Sequence, residues 1–484
     1  MSEQGLLALI ADALAEPWDA AKTPIPESKR LNRFLRLAMF ASELMDDRAH
    51  DSDQRTSTVV PFDEETFSAE MLLGVGRLRE ADALTALVRA HDLYAEILPE
   101  TYAEAQEVFE SRVGISLADW ITNVSLLAQS FFRELRPDSR WAATLNLASV
   151  NTSGNVERFR KIVRRLSRDR EAFRDRYASI DSRKVNRGLA FQPIRETPFL
   201  HLPDRGAEFY AILHADFVLA AADDGVYFAI HDALPVTKRA SFRSAFGKAF
   251  ELYVERVLLR CAACISESSV VRIREGTGSE EPKRCDFAWR CGDQLILIDA
   301  KRVGFSAFML MGGEGIRERY ASDLINGFEQ LITTAEDIER LGVEKVIPEL
   351  RAPADWRPSR IFGVIAHHRP IFLWFDSAKK LLRDASLPER WKDEALAKRW
   401  KNSRLEERWD ASFAAQPHAF GASELELLEA VLPSFPLDRI LDAWASDDVR
   451  SYLGLDIFLE SSGWQGLVAS PYAQQKARAL LARA

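Results

Sequence analysis

Cysteine is scarce in this chain, with four residues in 484. Four thiols spread over that length do not make a disulfide framework, so a reducing, cytoplasmic setting is expected. Long apolar runs are missing too. No stretch reaches the roughly 18 uninterrupted apolar residues of a spanning helix, so no membrane partner is expected. The N-terminal run Leu6 to Ala15 contains Asp12 and has no basic flank. It reads as an amphipathic helix and not as a signal peptide. Positive charge is also in deficit: 64 Lys and Arg face 73 Asp and Glu, a formal net charge of −9. That excludes a protein held on nucleic acid by its overall charge, but not one with a local basic patch. Internal repeats and low-complexity segments are absent. Gly312-Gly313-Glu314-Gly315 lacks the Gly-Lys-Ser/Thr ending of a phosphate-binding P-loop. It reads as a helix-entry loop, mobile or plain.

What is present is an ordinary globular mixture, 47% apolar and 28% charged, with length for roughly two to four domains. The charge is unevenly spread. Residues 1–150 hold 14 Lys and Arg against 25 Asp and Glu, whereas residues 158–187 hold 12 against 4. Such a basic block is either a solvated helix face or a footprint for phosphates, in which case Arg164, Arg165 and Arg168 are candidate nucleic-acid contacts. Residues 1–190 read as mostly helical, including single helices over 118–135 and 156–176. A short β-containing connector follows over 191–238. Its run Gly225-Val226-Tyr227-Phe228-Ala229-Ile230 reads as a strand. Residues 239–376 read as an α/β domain: a helix over 238–264, short strands at Val270–Arg274, Cys285–Cys291 and Gln294–Lys301, a helix over 315–341, then two strands between Arg360 and Phe375. Residues 377–484 return to helix.

The densest chemical signal lies between Lys283 and Lys301. Gly292-Asp293 suits a two-residue type II′ hairpin. It would pair Cys291 with Gln294, Trp289 with Ile296 and Phe287 with Ile298. One step further out, Asp286 would lie opposite Asp299, with cross-strand Cβ atoms about 4.5–5.5 Å apart. Two like charges at that distance call for compensation, and a divalent cation supplies it. Lys301, two residues beyond Asp299, points to the same face. Carboxylates with a backbone carbonyl and water suit Mg²⁺ or Mn²⁺.

This arrangement resembles the PD-(D/E)xK phosphodiesterase superfamily over about residues 240–375. Asp286 matches the first acid, and Asp299-Ala300-Lys301 matches the D-x-K element. Gly247-Lys248-Ala249-Phe250-Glu251 matches the helix that carries a further glutamate, with Glu255 one turn on as reserve. Cys285 stands where the motif has proline. The resemblance implies a restriction-endonuclease-like α/β core, a mixed central sheet flanked by helices, between large helical N- and C-terminal regions. It implies a metal-dependent nuclease, with DNA favoured over RNA, in restriction, repair or defence against foreign DNA. Asp286, Asp299, Glu251 and the carbonyl of Ala300 would hold metal. Lys301 would act on the attacking water or the phosphoryl charge, and Gln330 on the next helix would touch the water or a backbone phosphate. A homo-oligomer or a regulatory protein partner is compatible with this reading. The alternative is a catalytically silent nuclease-like scaffold that binds nucleic acid or protein.

Weaker constellations read as structure. Cys285 and Cys291 would be about 20 Å apart along one strand, too far for a shared zinc with Cys261 and Cys264, so all four read as buried thiols. His367-His368 reads as a turn. Trp391, Trp400 and Trp409 read as packing residues.

Overall fold

The computed structural model describes residues 80–134, 144–148, 156–179, 192–274, 283–301, 316–353, 355–368, 404–415, 418–446 and 469–482, with Lys398, Leu455 and Leu459. The segments around Leu6–Ala15, Gly312–Gly315, residues 180–187, the second strand after His367, Trp391 and Trp400 lie outside them.

Two mixed sheets are surrounded by helices. The first has the order β1 (Thr144–Asn146), β4 (Phe209–Ile212), β3 (Phe199–His201), β2 (Ser167–Arg168). Around it stand α1 (Glu80–Ala90), α2 (Ala105–Val113), α3 (Leu117–Glu134), α4 (Val156–Arg165), α5 (Arg170–Ala178), α6 (Gln192–Glu196), α7 (Ala215–Ala220) and α8 (Asp224–Ala233). Two expectations are corrected here. The single helix over 156–176 is broken by β2, because Ser167 and Arg168 pair in parallel with Phe199 and Leu200 and Asp169 then caps α5 through the amide of Ala172. The run Gly225–Ile230 is helical, not a strand. Val226, Tyr227 and Ile230 fall on one buried face of α8, and a short apolar run does not distinguish the two states by itself.

The second sheet has the order β5 (Ser268–Arg272), β6 (Phe287–Cys291), β7 (Gln294–Lys301), β8 (Arg360–His367), β9 (His418–Gly421). β5, β6 and β7 form an antiparallel meander, and β8 and β9 run parallel to β7. β7 is buried over all but its last residue, as a strand covered on both faces must be. Ile296, Ile298 and Ala300 face a core shared with α9 (Val236–Ala263), whose Phe242, Phe246, Phe250, Val254 and Val257 recur at helical spacing. Leu295 and Leu297 face a second core built on α10 (Ile316–Leu341) through Ile325, Phe328, Leu331 and Ile332. α11 (Leu405–Ser412) packs there too, its buried Trp409 against Phe328.

Further helices include α12 (Ala422–Val431), α13 (Leu437–Ala445) and α14 (Pro471–Leu481). The boundaries expected at 190 and 376 do not separate these layers. The first sheet takes strands from both sides of 190, and β9 comes from beyond 377. Among the described residues no helix is long and apolar enough to cross a membrane.

Candidate active site

The hairpin forms in the expected register: Cys291 with Gln294, Trp289 with Ile296 and Phe287 with Ile298. Gly292 has φ +58, the left-handed conformation that the first position of a type II′ turn requires. β6 begins at Phe287, and Asp286, just before it, keeps the same register to lie beside Asp299. Its Oδ2 accepts the amide of Ala300 at 2.7 Å, so the carboxyl extends the ladder ahead of the strand.

The two carboxyls are within hydrogen-bonding reach of each other. Asp299 is fully buried, and neither of its oxygens accepts a well-aligned hydrogen bond. Burial pushes its pKa up to about 8; Asp286 adds to the rise and Lys301 opposes it. Asp286 is raised as well, by burial first, against Lys301, the Ala300 amide and Arg272. Lys301 Nζ lies 2.7 Å from Asp299 Oδ2 and 2.5 Å from Gln330 Oε1. A buried carboxyl pair served by one ammonium holds its proton to high pH and can give it up only to added positive charge, which a divalent cation supplies. By that test Asp286 and Asp299 fit the metal that the resemblance implies.

Three residues given no chemical role from the sequence belong to this site. His367 is the strand neighbour of Lys301, at the end of β8 and not in a turn. It is fully buried, without a hydrogen-bond partner at either ring nitrogen. Burial and the nearby Lys301 hold its pKa down at about 3. His368, on the opposite face, lies 3.2 Å from Asp223. Gly327 brings α10 against β7 and β8: a Cβ there would stand 2.9 Å from Ile365 Cδ1 and 3.0 Å from Asp299 Oδ2. Its signal was legible, since glycine in a helix interior costs about 1 kcal/mol and needs a packing reason. Arg272, on β5, lies 3.5 Å from Glu251 Oε2 and 3.0 Å from Glu255 Oε2, with its guanidinium 5.2 Å from the centre of the Phe287 ring.

The structure thus brings together Asp286, Asp299, Lys301 and Gln330, and aims Glu251 at Arg272. Among the described residues, the groups of three or more side chains close enough to share an ion are His91, Asp92 and Glu96, and Asp223, Asp224 and His368. Glu251 joins neither group, nor does it form one with the aspartates. Lys476 already bonds Asp92 and Glu96 in the first group. In the second, Arg89 pairs with Asp223 and Arg195 with Asp224. Ala300 contributes its amide to Asp286 and turns its methyl to the α9 core.

Arg164 and Arg168 are in ion pairs with Glu208 and Glu196, each 3.2 Å away. Arg165 is placed beside Arg112. Much of the basic block is therefore neutralised inside the molecule. The cysteines are free; Cys261, Cys285 and Cys291 are buried as expected, and Cys264 is exposed. Compared with models of protein families, with curated proteins and with solved structures, the chain matches none.

Proposed function

We propose that the chain is a metal-dependent nuclease with a restriction-endonuclease-like core, acting on DNA in preference to RNA. One observation carries the reading: a fully buried Asp299 touches a second carboxyl and an ammonium yet has no well-aligned hydrogen bond. A structural role is better served by an amide, which buries without charge, so the ionisable pair argues for chemistry. The order α9, β5, β6, β7, α10, β8 also agrees with the core that the resemblance implies. Asp286 and Asp299 would hold Mg²⁺ or Mn²⁺, with the carbonyl of Ala300 as an added ligand. When bound, the cation would acidify a water and stabilise charge on the phosphoryl oxygens. Lys301 donates to the attacking water or to the phosphoryl oxygen. Gln330 fixes the ammonium, and His367, neutral beside it, adds no competing charge.

Purified protein incubated with plasmid, linear and single-stranded DNA and with RNA, in Mg²⁺, Mn²⁺ or EDTA, tests this. Cleavage in metal, none in EDTA, and a loss of about 10²–10⁴-fold in Lys301→Ala are expected. No cleavage by the wild type in any condition, or equal cleavage by the variant, overturns it.

A specific observation favours the scaffold reading: Arg272 already supplies the positive charge that faces Glu251. A silent, binding-only domain would keep its function in Asp299→Ala, whereas the nuclease loses it.

A further inference from the structure

A cavity of about 430 Å³ opens between α2, α4, β2, α6 and α8, away from the aspartate pair. Four arginines line it, namely Arg112, Arg165, Arg168 and Arg195, together with Trp120 and Phe228. Glu196, Asp224 and Asp232 line it too, so the four positive charges are incompletely matched. Arg195 pairs with Asp224, and Arg168 shares the single carboxylate of Glu196 with Arg176. Arg168 Nη1 is buried without a hydrogen-bond partner. Arg112 and Arg165 line the same wall, where burial first, and then the neighbouring Arg112, disfavour the charge on Arg165. Neither has a carboxylate within ion-pair distance among the described residues. Uncompensated guanidinium groups around a concavity are the usual receptor for a phosphate, which their planar forks grip in two places.

The walls add a second requirement. Trp120 is buried and fixed by its Nε1 donating to the Ala221 carbonyl at 3.0 Å, and Phe228 stands half-buried on α8. Both rings line the cavity, so its wall is aromatic as well as basic. The volume is that of a small-molecule site and will not admit a duplex. We propose that this cavity binds a phosphate carrying a planar base: a mononucleotide, or the 5′-phosphorylated end nucleotide of a strand. The proposal does not rest on the nuclease reading, because it shares no residue with the aspartate site.

Isothermal titration of the full chain tests it, with AMP, GMP, CMP and UMP, with inorganic phosphate, and with the unphosphorylated nucleosides. Saturable binding is expected for at least one nucleotide, weaker for phosphate alone and lost for the nucleoside. Arg165→Gln and Arg112→Gln should each weaken it by about tenfold, the worth of one charge-assisted contact. Neither substitution breaks an ion pair among the described residues, so the thermal midpoint should hold, and either variant decides if the other fails to fold. Phe228→Ala should weaken nucleotide binding and spare phosphate. Competition by a 5′-phosphorylated oligonucleotide, and not by its unphosphorylated form, would assign the ligand to a strand end; without it, the ligand is the free nucleotide. No saturable binding by any nucleotide or by the phosphorylated oligonucleotide, or undiminished binding in both arginine variants, overturns the proposal.

Discussion

Asp299 is the residue on which function and stability pull apart. Its folded pKa of about 8 stands above the ordinary carboxylate value near 4. Between those limits the unfolded chain has released a proton that the folded chain keeps. Stability contributed by this group is therefore lost as pH rises from about 4 to about 8. Asp299→Asn should abolish cleavage yet raise the thermal midpoint, with the gap from wild type widening between pH 5 and pH 8 in melts followed by circular dichroism. Mg²⁺ should raise the wild-type midpoint and leave the variant unmoved, since only a carboxylate pair gains from the cation. His367 works with the opposite sign. Its pKa is held down at about 3, so stability falls as pH drops below the ordinary histidine value near 6.5. Gly327 is a steric determinant of the same site. Gly327→Ala should cost about 1–3 kcal/mol in urea unfolding, because the new methyl meets Ile365 and Asp299, and an overpacked core relaxes only in part.

At the scale of elements, α9 is tied by charge as well as by its apolar stripe. Glu426 on α12 is buried; it accepts from Arg89 of α1 at 2.7 Å and from the Tyr253 hydroxyl of α9 at 2.5 Å. One carboxylate thereby fixes three helices behind the sheet. Burial raises its pKa and Arg89 opposes the rise. Removing Glu426 leaves buried Arg89 with Asp223, at 3.4 Å, as its remaining carboxylate, and breaking a buried pair from one side is strongly destabilising. Glu426→Ala should therefore destabilise the fold by about 3–5 kcal/mol in urea titration. Replacing both Glu426 and Arg89 by apolar residues should recover part of that loss. On the other side of the sheet, Arg408 of α11 and Glu336 of α10 form a two-point ion pair at 2.7 Å. It is half exposed and contributes little beside the contact of Trp409 with Phe328.

For the whole molecule, the α/β layer is not closed by residues 240–375. β9, from beyond residue 417, pairs with β8 through Val364 to His367. α12 then covers the sheet with α9 through Leu425 and Leu428. α14 reaches back to the N-terminal half, where Tyr472 donates to Asp92 at 2.9 Å. A fragment of residues 236–375 would expose the edge of β8 and part of the α9 core. It should aggregate or bind a hydrophobic dye, as read by size exclusion and dye fluorescence. A soluble fragment with a cooperative melt would show that the flanking helices are dispensable.

The hairpin of β6 and β7 was legible residue by residue. Gly292 needs its left-handed φ wherever the chain goes, and strand alternation then fixes the opposition of Asp286 and Asp299. Helices α9 and α10 were legible from apolar spacing for the same reason, that local periodicity is a property of the chain alone. Three features were not. α8 looked like a strand because Gly225 to Ile230 is equally apolar in either period, and only the surrounding helices chose. Glu251 matched a pattern, but its direction depends on Arg272 reaching it from β5. His367 and Lys301 became neighbours only when β7 and β8 paired in parallel across more than fifty intervening residues. Sequence determined which groups carry charge and which segments are regular; packing decided which charges meet, because desolvation and pairing are set by neighbours distant along the chain.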